Sequence, residues 1–294
     1  MVRNAVRATS TDVTDDGRTP MGTPSTSVKI SVQLYTVKDA VEADLDGTVA
    51  RLAGLGLDTV EAFDFVRRPA ELKAAFDAHG ISARTGHAFL LSDEITSPDG
   101  TAGALPGLEE TLEAAATLGL EVVIDPFTPA DRWQTRESVT ALAERLNRAA
   151  AAAEAHGLLV GYHNHDHELR STIDGVPALE VFAELLDPRV RLEVDLYWAT
   201  AAGLDAAGLL TRLGERVVAV HVKDGPMREG ISTAELPRDQ VPAGQGDVPL
   251  AAALGAATSA QYAVIEFDHY EGDLFEGVAA SRAWLAQHLQ GASA

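Results

Sequence analysis

From residue 28 onward the chain alternates short apolar runs of strand length with longer amphipathic stretches of helix length. Strands are predicted at residues 28–34, 59–63, 81–87, 121–126, 158–163, 191–195, 216–222 and 262–267. Each is followed by a predicted helix, at 41–55, 69–78, 107–118, 136–156, 178–186, 205–213, 249–260 and 274–289. Gly157, directly after the long alanine-rich helix, reads as its C-cap. Ser97-Pro98-Asp99-Gly100 and the Pro- and Gly-rich stretch 225–247 read as loops. Eight strand–helix units in one order favour a closed (β/α)8 TIM barrel over an open doubly wound sheet. The barrel would occupy residues 28–294 as one domain. Residues 1–27, almost without large apolar side chains, read as a disordered tail in which Met21 offers a second start.

In a barrel strand alternate residues face the interior, and chemistry collects at the carboxyl ends. On that parity Ser31 and Gln33 fall together, as do Thr59 and Glu61; Ala83, Thr85 and His87; and Val123 and Asp125. In the second half the inward sets are Gly161, His163 and His165; Glu193 and Asp195; Ala219, His221 and Lys223; and Val264, Glu266 and Asp268. Every strand therefore ends on a polar residue of one face. Two imidazoles and two carboxylates meeting at one mouth suit a divalent cation, and His163, Asp195, His221 and Glu266, one from each of the last four strands, are the expected ligands. His165 competes with His163 for its place. His79 and His156 sit before glycines at helix ends, where a positive charge complements exposed carbonyls, and His288 is expected on the surface.

Composition narrows the function classes. The formal charge of −21 repels phosphate backbones, and no Lys/Arg stripe reverses it locally, so nucleic acid is excluded as a partner. No apolar run reaches the roughly 18 residues that a spanning helix needs, so no membrane partner is expected. Cysteine is absent, which removes disulfides and thiolate ligands and suits a cytoplasmic location. Neither Gly-x-Gly-x-x-Gly after a strand nor Gly-x-x-x-x-Gly-Lys-Ser/Thr occurs, so the usual nucleotide-binding loops are missing.

Tyr-His-Asn-His-Asp-His-Glu at 162–168, Glu-Val-Asp-Leu-Tyr-Trp at 193–198, His-Val-Lys-Asp at 221–224, Gly-Gln-Gly-Asp at 244–247 and Val-Ile-Glu-Phe-Asp at 264–268 resemble the sugar phosphate isomerase/epimerase family of xylose isomerase-like barrels. The resemblance implies one divalent metal held by His163, Asp195, His221 and Glu266, with Mn(II) ahead of Zn(II) and Co(II). It also implies a small-molecule sugar substrate and an isomerase or epimerase working through an enediolate. His163 departs from the ketose 3-epimerases, which carry a glutamate there, so one of two metal-bound bases is missing.

That departure brings forward elimination from a 3-keto-glycoside or dehydration of a keto-inositol. A non-catalytic carbohydrate-binding barrel is a further alternative, acting with a partner subunit or as a homo-oligomer. Glu266 is the expected base, Glu61 its substitute or acid partner, and Lys223 the oxyanion group. Gln33, His87, His165, Trp198 and Glu168 are expected to contact the sugar. Glu193, two residues deeper than Asp195, needs a buried partner, with Lys223 nearest by layer. No basic pair or Gly-rich helix start marks a phosphate site, which favours an unphosphorylated sugar or inositol.

Overall fold

The computed structural model describes residues 28–96 and 101–290. The expected tail at 1–27 and the loop 97–100 lie outside these residues. Eight parallel strands form one sheet: β1 (Lys29–Val32), β2 (Thr59–Ala62), β3 (Ser82–His87), β4 (Val122–Asp125), β5 (Leu159–His163), β6 (Arg191–Asp195), β7 (Val217–Val222) and β8 (Tyr262–Ile265). Their order is β1-β8-β7-β6-β5-β4-β3-β2, and a parallel bridge between Gln33 and Glu61 joins the two ends. The sheet is therefore a nearly closed (β/α)8 barrel, as the eight-fold alternation predicts.

Helices pack outside. Pro69–His79, Leu108–Leu118, Arg136–Ala153, Ala178–Leu185, Ala206–Leu213, Leu250–Ala256 and Leu274–Gln290 fall close to their predicted places. The first predicted helix is instead two, Lys38–Ala43 and Leu45–Gly54. Asp44 adopts an extended conformation between them and caps the second by accepting from Gly47 N. Gly157 takes the left-handed C-cap conformation after the long helix, at φ 69°. Two short helices are additions, His167–Arg170 after β5 and Leu196–Ala201 after β6. A hairpin, Glu94–Thr96 with Ala102–Ala104, stands beyond β3. Among the described residues no helix is long and apolar enough to cross a membrane.

Parity holds for most strands and fails for two. The interior of the barrel below the site is filled by Val122, Ile124, Ala219, Tyr262 and Val264. On β4, then, Val122 and Ile124 face inward, and the expectation for Val123 and Asp125 is reversed. Asp125 is fully buried and accepts from the amides of Leu90, Leu91 and Phe127, at 2.6, 2.8 and 3.0 Å. Its polarity serves the loop after β3. On β3 a register shift aligns Ala83 with Val60 and Thr85 with Glu61. Ala83 consequently packs into the helix-facing core with Val60, while Thr85 and His87 stay on the inner face.

Candidate active site

The carboxyl ends of the strands open into a cavity of about 550 Å3. His87, His163, His165, Lys223, Glu266 and Asp268 line its lower part. Each of these positions follows from strand parity, because a buried strand with an apolar outer row can turn only its alternate row toward the axis.

One ring of donors has the expected membership. One ligand atom each from His163, Asp195, His221 and Glu266 lies within 4.8 Å of the others. His163 Nε2 is 3.7 Å from Asp195 Oδ2, and His221 Nδ1 is 2.6 Å from Glu266 Oε2. Asp195 Oδ2 is buried and has no hydrogen bond, and Oδ1 is used locally, accepting from Trp198 N at 2.9 Å to cap the helix that begins there. Lys223 Nζ completes this layer, 3.1 Å from Asp195, 2.8 Å from Glu266 and 3.0 Å from Asp268. Gln240 fixes Asp268 in turn, donating to its carboxylate and accepting from its amide.

A second layer lies beneath. Glu193 Oε1 is within 2.8 Å of His87 Nε2, 3.0 Å of His163 Nδ1 and 2.9 Å of His221 Nε2. Glu61 Oε1 sits beside it, 2.7 Å from His221 Nε2, 3.1 Å from His87 Nε2 and accepting from Gln33 Nε2 at 2.8 Å. Both carboxylates are fully buried. His163 and His221 thus each turn one ring nitrogen down to a carboxylate and the other up toward the donor ring. This arrangement fixes ring orientation and selects the tautomer. His87, His163, Glu193 and His221 also bring four donor atoms within 4.8 Å, so the two layers share two histidines.

The charges follow. Burial alone would raise the Glu266 carboxyl, but Lys223 and His221 outweigh it and hold the group below the usual carboxylate range. Glu61 is likewise held low against burial by His87 and His221. Burial opposes protonation of His87, yet Glu61 and Glu193 raise it to about 10; His221 is raised above its ordinary value in the same way, by Glu193, Glu266 and Glu61. For His163 and His165 burial wins, and both are pushed well below the ordinary histidine value. Burial pushes Asp195 up to about 6 despite Lys223 and His221.

Several expected sugar contacts are set back from the cavity. Gln33 is fully buried behind Glu61. Glu168 accepts from Tyr162 Oη at 2.7 Å and His165 N at 2.9 Å, tying the turn after β5 instead of facing substrate. Trp198 is fully buried, with its ring centroid 5.9 Å from that of His165. Glu61 is also absent from the cavity wall and touches His221 and His87 from below. Glu193 pairs with histidines and not with Lys223, because Lys223 sits one layer higher among Asp195, Glu266 and Asp268. Arg84 pairs with Glu121, not with Glu61. His79 and His156 pair with surface carboxylates of Asp46 and Glu109.

The Gly-Gln-Gly-Asp motif has a structural explanation. Asp224, buried just past β7, accepts from the amides of Gly225, Gly244, Gly246 and Val248. That clamp shapes the long loop carrying Gln240. Gly246 approaches so closely that an added Cβ would collide with Asp224 Oδ1 and the Gly225 backbone.

The sequence model of the xylose isomerase-like TIM barrel matches residues 49–288. The chain belongs to this family. A 2-epi-5-epi-valiolone 7-phosphate 2-epimerase from an Actinoplanes species is 27% identical over 252 residues, covering 85% of each chain. A sugar phosphate isomerase/epimerase structure from Parabacteroides distasonis superposes with a TM-score of 0.72 at 20% identity, over 94% of this chain and 99% of the other. The IOLI protein, solved with a bound zinc atom, gives 0.63 at 17% identity, over 90% and 99%. At these identities the two structural likenesses speak for the shared barrel.

Proposed function

We propose that this member of the family is a metal-dependent sugar isomerase or epimerase acting on a ketose or a related sugar or inositol derivative. The observation that carries this reading is the donor ring of His163, Asp195, His221 and Glu266, of which His163 and Glu266 line the open cavity while Asp195 and His221 lie buried directly behind them. Two imidazoles and two carboxylates fit Mn(II), Zn(II) or Co(II), and Mn(II) is our first choice. Asp195 Oδ2, buried without a hydrogen bond and ion-paired with Lys223 Nζ at 3.1 Å, keeps a lone pair to offer such an ion. The epimerase name of the Actinoplanes relative supports the reaction class, and the zinc of the IOLI protein supports a metal in this kind of barrel.

When bound, the cation supplies positive charge beside the substrate carbonyl. Glu266, kept ionised by Lys223 and His221, removes the proton from the carbon next to that carbonyl and leaves an enediolate. Return of the proton to the former carbonyl carbon on the same face, with the adjacent hydroxyl proton passing to the former carbonyl oxygen, is isomerisation. Epimerisation needs delivery from the opposite face, and the imidazolium of His87, sustained by Glu61 and Glu193, is our choice of donor. Lys223 positions Glu266 and steadies developing oxyanion charge. Because Glu61 does not reach the cavity, Glu266 is the one carboxylate of the donor ring that lines it, and that favours elimination from a keto-glycoside or dehydration of a keto-inositol as the second reading.

Purified protein should carry close to one equivalent of divalent metal. Incubated with ketoses and 3-keto-sugars in deuterated water, it should place deuterium on the carbon next to the carbonyl. Protein that neither retains nor regains metal and exchanges no substrate proton would leave the carbohydrate-binding reading in its place.

A further inference from the structure

Above its polar floor the cavity is larger and more apolar than a sugar requires. A free hexose, at about six water-sized volumes of about 30 Å3 each, fills roughly a third of it. The remaining space is bounded by Tyr35, Phe63, Ile95, Leu105, Phe127 and Leu236. Ile95, Phe127 and Leu236 are among the few large apolar side chains left exposed in the described residues, and all three stand at this one opening. Such a concentration at a cavity rim marks a binding surface more than chance exposure does. The apolar wall is continuous with the floor, since the Phe127 ring meets the His165 ring edge-on at 5.6 Å.

Charge at the opening argues against an anionic substituent. Arg67 is already paired with Asp64 and Glu42, Lys223 with three carboxylates, and the other charged residue of the upper wall is Glu110. Among the described residues of the cavity no unpaired Lys or Arg is left for a phosphate. Resting on the reaction proposed above, we propose that the substrate is a keto-sugar bearing an apolar substituent of aromatic-ring size. It is a glycoside, with its sugar on the histidine floor and its substituent against Phe127 and Leu236.

Calorimetric titration of the isolated protein with methyl glucoside, phenyl glucoside and glucose 6-phosphate tests this without turnover. The phenyl glycoside should bind at least about tenfold more tightly than the methyl glycoside, as burial of a ring's apolar surface requires, and the phosphate should gain nothing. Phe127→Ala should shrink the phenyl-to-methyl ratio to about threefold or less. Equal affinity for the two glycosides, no measurable binding of either, tighter binding of the phosphate, or a ratio untouched by Phe127→Ala would overturn the inference. Deuterium exchange with the corresponding 3-keto glycosides separates the two readings. A preserved phenyl preference without any exchange defeats the proposed reaction alone, whereas exchange that is equally efficient with methyl and phenyl substrates defeats the inference alone.

Discussion

Truncating Glu193 isolates what the buried second layer contributes. In Glu193→Ala, His87 and His221 keep a partner, because Glu61 Oε1 stays 3.1 and 2.7 Å from their Nε2 atoms. His163 Nδ1 loses the one acceptor it has, Glu193 at 3.0 Å. A buried N–H left unpaired costs about 1–3 kcal/mol, and removal of one partner of a buried charged pair costs about 3–5 kcal/mol. Glu61 spares part of the second figure, so metal-free Glu193→Ala should lose about 2–4 kcal/mol in urea unfolding. Metal retention should suffer independently. Freedom between two tautomers alone would weaken His163 as a ligand only about twofold, but loss of ring orientation and ligand basicity brings the usual effect of such partners to about 10–100-fold. Competition against a chelator of known affinity measures it, with Glu193→Gln expected to fall between wild type and Glu193→Ala. Wild-type metal affinity in Glu193→Ala, alongside a large loss in Asp195→Ala, would refute the orienting role.

His163→Ala should abolish stoichiometric metal while His165→Ala retains it, by elemental analysis; the reverse result moves the ligand two positions, since His165 belongs to neither donor group. Metal affinity should fall throughout as pH drops, because His221 must shed a proton that Glu193, Glu266 and Glu61 stabilise, and should fall more steeply below about 6, where the Asp195 carboxyl also takes up a proton; a flat profile from pH 5 to 8 in chelator competition would contradict this. Asp224→Ala should lower stability by about 2–4 kcal/mol by leaving four amides without their acceptor, read by urea unfolding. Asp125→Ala should do the same for the loop at Leu90 and Leu91 and raise proteolytic nicking there.

The barrel and the upper donor ring were legible because both rest on period-two alternation, which a residue's position in a strand expresses directly. His163, Asp195 and His221 are also the last inward positions within β5, β6 and β7, and Glu266 directly follows β8, so their convergence needed little knowledge of loops. Asp125 misled because a polar strand end satisfies two physical demands equally well, a ligand facing inward or an acceptor for loop amides behind the strand. The register shift at β3 has no signature in Ser-Ala-Arg-Thr-Gly-His. Depth was equally hidden: Glu193 and Lys223 share a face with Asp195, but only the stagger between neighbouring strands puts three imidazoles, and no lysine, against Glu193. The apolar wall comes from loops that carry no periodicity, so neither Phe127 nor Leu236 stood out.

The same stagger bears on why an ion would suit the upper ring. Glu61, Glu193, Asp195, Glu266 and Asp268 bring five carboxylates into one largely dry volume, against Lys223 and whichever histidines are protonated. His163 and His165 are neutral there, so His87 and His221 are the remaining cations, and both are raised to serve. Even with them the cluster carries an excess of negative charge that low-dielectric surroundings make costly. A divalent cation would bring two positive charges while His221 gave up one with its proton to become a ligand, so the excess would fall from about two charges to about one. The histidine at 163 on β5, where the ketose 3-epimerases carry a glutamate, then has a reason beyond ligand identity. A sixth carboxylate would have returned the imbalance that the cation removes, whereas a neutral imidazole anchored on Glu193 does not.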